Sequence, residues 1–142
     1  MYTHTTQLRV RYAETDQMGY VYYGQYPTYY EVARVEALRA LGIRYKDMEA
    51  DGVMMPVLEL RCKYIRPARY DDLLRIELRI PVEPQLRIRF EYEIYNEQGT
   101  LLNVGETTLV FVDMQTNKPT PTPAAVLQAL KPYFNQASEL PS

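Results

Sequence analysis

Leu8, Val10 and Tyr12 alternate with Gln7, Arg9 and Arg11, the two-residue period of a strand that buries one face. The alternation predicts a first strand over about residues 5–12. The period then lengthens. Tyr26, Tyr30, Ala33, Ala37 and Leu41 recur at spacings of three and four, with Gly42 after them, which predicts one long helix over about residues 25–41. Pro27 suits the first turn, where its missing N–H is no loss, and alanines at 33, 37 and 40 let a sheet approach closely. This helix is expected to be central and buried.

A short polar helix is predicted over Tyr45–Ala50, ending at Asp51 and Gly52. Beyond it the period returns to two, giving strands over Val57–Ile65, Leu73–Val82, Leu86–Tyr95 and Leu101–Asp113. Asn96-Glu97-Gln98-Gly99 is the turn of a hairpin between the last two. After the proline-rich exit 118–123, Thr122 is placed to cap a helix with Pro123 at its first position, running to about Leu130. One strand, one long helix and four meandering strands make an α+β domain, an antiparallel five-stranded sheet around a single helix. With 142 residues, 46% of them apolar, a single domain over 1–142 can bury its own core.

Charge and rare residues narrow the chemistry. A net charge of -2 gives no overall field toward nucleic acid or an anionic membrane. No run nears the about 18 apolar residues of a membrane span, and the start lacks the apolar stretch of a secretory signal. One cysteine, Cys62, sits in an alternating run as a small core residue, so a reducing cytoplasm is the expected compartment. The one histidine, His4, lies in a polar N-terminal stretch expected to fray, which leaves Ser-His-Asp, Cys-His and imidazole-zinc sites without material. No metal site is expected. Carboxylates, phenols, Lys, Arg and backbone amides remain.

They concentrate between the first strand and the helix, in Tyr12-Ala13-Glu14-Thr15-Asp16-Gln17-Met18-Gly19-Tyr20-Val21-Tyr22-Tyr23-Gly24-Gln25-Tyr26. A glycine-containing turn can set the Asp16 carboxylate beside the unpaired amides of the helix start. A carboxylate as base or nucleophile, with amides as oxyanion donors, is the equipment for acyl transfer from a thioester. The plainer alternative is that Asp16 only caps its turn. Glu31 shares a helical stripe with Val35 and Leu38, either as a second functional carboxylate or as the partner of Arg34 or Arg11 in a buried pair. Tyr20, Tyr22, Tyr23, Tyr26, Tyr29 and Tyr30 can wall a pocket for a flat acyl group, or fill the core and an interface. Lys63, Arg66 and Arg69 could meet phosphates, or line a solvated face, as could Arg87 and Arg89.

The same loop, followed by Tyr30-Glu31-Val32-Ala33-Arg34-Val35-Glu36, Met55-Pro56-Val57 and Tyr64-Ile65-Arg66-Pro67-Ala68-Arg69-Tyr70-Asp71-Asp72-Leu73, resembles the 4-hydroxybenzoyl-CoA thioesterase family of hotdog-fold proteins. The resemblance implies hydrolysis of an acyl-CoA, with Asp16 attacking the thioester carbonyl or activating water. It implies the N–H of Tyr23, with Gly24, as oxyanion donor; Tyr20, Val21, Tyr22 and Tyr26 of the same loop are the expected substrate contacts. No separate cofactor follows, because coenzyme A is part of the substrate. It further implies a homodimer joined sheet edge to sheet edge, or a homotetramer, with the site between subunits. Many relatives carry His seven residues after the aspartate. Here that position is Tyr23, a poor base at neutral pH, so the burden falls on Asp16. A hotdog dimer that binds an acyl thioester without cleaving it, or an acyl carrier protein thioesterase, are the rival readings.

Overall fold

In the computed structural model, which describes residues 1–134, the long helix α1 spans Tyr26–Ala40. It starts at Pro27 in its first turn and stops where Gly42 takes a φ of +83°, with the Gly42 and Ile43 amides returning to Arg39 and Leu38. Its buried stripe is Tyr26, Tyr29, Tyr30, Ala33, Arg34, Ala37 and Leu38. Ala40, expected on that stripe, is exposed.

Among the described residues eight strands accompany it: β1 Tyr2–Arg9, β2 Val53–Met54, β3 Val57–Tyr64, β4 Leu73–Ile80, β5 Arg87–Tyr95, β6 Leu101–Val110, β7 Val112–Asp113 and β8 Lys118–Pro119. Five of them form one antiparallel sheet in the order β1-β4-β5-β6-β3, which holds α1 against one face. The predicted meander holds only for β4-β5-β6. β3 pairs with β6, not with its successor β4, so residues 65–72 carry the chain from one edge of the sheet to its interior. The predicted last strand breaks at buried Phe111. Its end becomes β7, which joins β2 and β8 in a separate ribbon.

The first strand begins and ends earlier than its alternation suggests. At its far end the Arg11 N–H is taken by the Glu14 carboxylate at 2.9 Å, and Tyr12–Glu14 coil into a 3-10 turn. At its near end Tyr2 pairs with Ile80, and its hydroxyl donates to the Ala37 carbonyl at 2.7 Å. The N-terminus is therefore not frayed: His4 sits half-buried in β1 opposite Leu78. The hairpin at Asn96 is as expected, its side chain accepting from the amides of Gln98 and Thr100. α2 spans Tyr45–Ala50 and α3 spans Ala124–Phe134. The Thr122 hydroxyl donates to the Gln85 carbonyl rather than capping α3. Residues 135–142, counted in the single domain above, lie outside the described residues.

Candidate active site

The β1–α1 loop is built on Glu14, a residue that alternation and motif both pass over. It is 6% exposed, accepts the Tyr29 hydroxyl at 2.9 Å and the Arg11 guanidinium at 3.0 and 3.1 Å, and its own carbonyl takes the Tyr22 amide at 2.9 Å. Burial pushes its carboxyl up. The hydrogen bonds from the Arg11 amide, Tyr29 and the Arg11 guanidinium outweigh that and hold it below the usual carboxylate range. The i,i+3 spacing of Arg11 and Glu14, which lets the carboxylate reach back to the Arg11 amide, is the local signal for it.

Past Glu14 the chain makes a tight turn. The Gly19 amide reaches the Asp16 carbonyl at 3.0 Å, with Gly19 at φ +79°, and the Asp16 amide reaches the Tyr20 carbonyl at 2.8 Å. Asp16 Oδ1 accepts the amides of Met18 at 2.9 Å and Tyr20 at 3.2 Å. The turn-cap geometry is thus real, but it uses one oxygen. Among the described residues Oδ2 has no intrachain donor and remains available.

The loop is braced from below by the β3–β4 crossing. Val21 donates to the Ala68 carbonyl at 2.8 Å, Tyr20 bridges to Arg69, and the Arg69 guanidinium lies 4.9 Å from the centre of the Tyr20 ring. Tyr23–Gln25 then coil as a 3-10 turn that opens α1, and the first amides of such a turn have no carbonyl of their own helix to bond. The Tyr22 ring lies over Gly24, where an added Cβ would meet it at 2.6 Å, and packs 4.6 Å from the Tyr23 ring.

These elements enclose a cleft of about 280 Å³ with mostly apolar walls. It brings together six of the residues singled out in the sequence: Asp16, Tyr20, Val21, Tyr23, Tyr26 and Arg66. The structure adds Met18, Tyr64, Ile65 and Pro67. Burial raises the Tyr26 phenol, and burial together with nearby Cys62 raises that of Tyr64, so both remain protonated donors at neutral pH.

Other candidates lie elsewhere. Gly24 and Tyr22 stand beside the cleft without lining it, and Arg69 acts through Tyr20. Lys63 points to the outer face of the sheet, into a depression with Arg61 and Glu106. Glu31 is exposed and lines a separate groove of about 490 Å³ with Arg34 and Arg39. It forms neither expected pair: Arg11 binds Glu14, and buried Arg34 donates to the Tyr92 hydroxyl at 3.1 Å. The stripe argument fails because Glu31 sits at its solvent edge. Of the tyrosines, Tyr29 and Tyr30 belong to the core, Tyr30 stacking on Tyr92 with centroids 4.2 Å apart. Cys62 is half-buried, 3.3 Å from the Tyr30 hydroxyl.

Among the described residues no three His, Cys, Asp or Glu side chains converge as metal ligands, and no helix is long and apolar enough to cross a membrane. One half-exposed carboxylate, four phenols, the Arg66 guanidinium and a helix start are the polar groups of the cleft.

Comparison with known proteins gives the family. The acyl-CoA thioester hydrolase YbgC of Escherichia coli O6:H1 is 35% identical over 124 residues, covering 87% of this chain and 92% of the relative. The DHNA-CoA thioesterase of Staphylococcus aureus superposes with a TM-score of 0.82 at 35% identity, covering 98% of this chain and 88% of that one. A second S. aureus protein, solved in complex with CoA, shares the fold at a TM-score of 0.86 and 16% identity, covering 99% and 87% of the two chains. The thioesterase-like superfamily profile matches residues 10–130. The chain therefore belongs to the thioesterase-like superfamily and is a thioester hydrolase of the hotdog fold.

Proposed function

We propose that the chain hydrolyses an acyl-CoA to the free acid and coenzyme A, with Asp16 as the reacting carboxylate and the amides of Tyr23 and Gly24 as oxyanion donors. The observation that carries this reading is the apolar cleft with a single carboxylate and the opening of α1 on its wall. With Oδ1 fixed by two amides, Oδ2 has a defined direction. It either adds to the thioester carbonyl, releasing the CoA thiolate and leaving a mixed anhydride that water opens, or takes a proton from the water that adds. In both routes the carbonyl oxygen passes through an oxyanion that helix-start amides stabilise, and the sum is ester plus water to acid plus thiol.

The named activities of the relatives support a CoA ester as the substrate class. No cofactor is needed beyond the coenzyme A that the substrate brings, Arg66 is the phosphate contact of choice, and a reducing cytoplasm suits the single thiol. Assembly through β3 is part of the proposal. That edge strand leaves Leu58 and Leu60 at 49% and 42% exposed, and pairing with a second copy would cover them beside the cleft.

Thiol release from short, long and aromatic acyl-CoAs, corrected for Cys62, tests the reading. Asp16→Ala should lower kcat at least about a thousandfold while circular dichroism stays unchanged. In a single turnover in H2¹⁸O, label in Asp16 identifies the anhydride route opened at the Asp16 carbonyl, whereas direct addition of water puts label in the acid alone. A folded Asp16→Ala as active as the parent would move the chemistry elsewhere.

A further inference from the structure

Tyr64 ends β3 where that strand passes the start of α1. Its hydroxyl donates to the Tyr23 carbonyl at 2.8 Å, and its ring stands edge-on to those of Tyr26 and Tyr23 at 5.4 and 6.5 Å. Although half-exposed, it is thus held in one direction.

In the 3-10 turn the carbonyl it meets takes the Tyr26 amide, and its second acceptor position, the one an α-helix would fill, has no backbone donor. In an α-helix the Tyr23 carbonyl would accept from the amide four residues on, but that residue is Pro27, which has no N–H. Tyr64 supplies the donor that Pro27 withholds. The Tyr23 carbonyl and the Gly24 N–H belong to one planar trans peptide and point in opposite directions. A hydrogen bond accepted by the carbonyl therefore fixes the direction of that N–H and, by polarising the peptide, makes it a stronger donor. Side-chain partners on β3 and backbone donors on α1 are in this way joined through a single peptide.

We propose that Tyr64 is a positioning residue for the oxyanion: by donating to the Tyr23 carbonyl it aims and strengthens the Gly24 N–H. The inference rests on the hydrolase reading above. It also accounts for Pro27 beyond its role in starting the helix, because a donor at position 27 would compete for the same carbonyl.

The test is Tyr64→Phe, which keeps the ring against Tyr26 and removes the hydroxyl. kcat should fall about tenfold, less than the hundred- to thousandfold that follows loss of a whole oxyanion donor, with KM within about twofold. The ¹⁵N resonance of the Gly24 amide should shift as the preceding carbonyl loses its second donor. Adding Pro27→Ala to Tyr64→Phe returns an N–H to that carbonyl and should recover part of kcat. An unchanged kcat, a raised KM with kcat intact, or an unmoved Gly24 resonance overturns the proposal. Asp16→Asn, assayed alongside, separates the levels. If it is inactive while Tyr64→Phe behaves as the parent, only the Tyr64 inference falls. If it is fully active, or the parent cleaves no ester, the site and the inference fall together.

Discussion

In β5, Ile88, Phe90, Tyr92 and Ile94 face α1 and none is more than 1% exposed, whereas in β3 Leu60, on the same face of the same sheet, is 42% exposed. Both strands alternate apolar with charged residues, and nothing in their spacing separates them. The difference is position: β5 lies between β4 and β6, while β3 has only β6 beside it. Alternation reports which side of a strand is built to be covered. Whether the cover comes from the same chain depends on closure of the whole fold. An unfinished apolar edge next to the β1–α1 loop is what a second subunit completes in the proposed dimer.

The largest effect that would sharpen this contrast is in the core. Phe90→Ala should destabilise the fold by about 3–5 kcal/mol, independent of protein concentration, because nothing can refill the space between sheet and helix. Leu60→Ala should cost the protomer less than about 1 kcal/mol, since much of that side chain is already in water, and should instead weaken self-association. Urea unfolding at several protein concentrations distinguishes them. A concentration-independent loss for Leu60→Ala equal to that of Phe90→Ala would mean that β3 is as finished as β5.

A single carboxylate ties the β1–α1 loop to the finished half of the fold. Glu14 joins Arg11 at the end of β1 to Tyr29 on α1. Its carboxyl is held below the ordinary 4.5 in the folded chain, so its contribution is fully present above the unfolded value and is lost as pH falls through the folded one. Glu14→Gln should therefore cost about 1–3 kcal/mol at pH 7, and the gap between variant and parent should narrow below about pH 4.5. A gap that does not change with pH would show that Glu14 acts by shape and not by charge.

The sequence made local features legible and left closure hidden. Pro27 and Gly42 bracket α1, Asn96 and Gly99 turn the hairpin, and the loop around Asp16 stands out because it crowds tyrosines, glycines and a carboxylate before a helix. Each of these signals is contained within a few residues. The order of the sheet is not, because β1–β4 and β3–β6 pairing is decided by surfaces far apart in the chain. The burial of Glu14 is hidden for the same reason: its reach back to Arg11 is local, but its cover depends on Tyr29 folding back over it. Glu31 is overread because a stripe at helical spacing does not reveal its solvent boundary, and Tyr64 is passed over because an alternating strand does not reveal where it meets a helix end.

The smallest expected effect tests the two faces of β3 and its exit. Lys63 and Arg66 are three residues apart and equal in charge, yet Lys63 points to the outer depression while Arg66 lines the cleft, its amide anchored on the Leu102 carbonyl at 3.0 Å. Exposed cations contribute under about 1 kcal/mol each to an anionic partner, so Arg66→Ala should raise KM for an acyl-CoA only about threefold and leave kcat alone. Lys63→Ala should change neither. Because the Arg66 contribution is screened, its effect on KM should shrink as salt is raised toward 1 M, where the Debye length falls to about 3 Å. Equal effects from both substitutions would mean that overall charge near β3, and not the cleft, draws in the phosphates, and the distinction between its two faces would lose its meaning for binding.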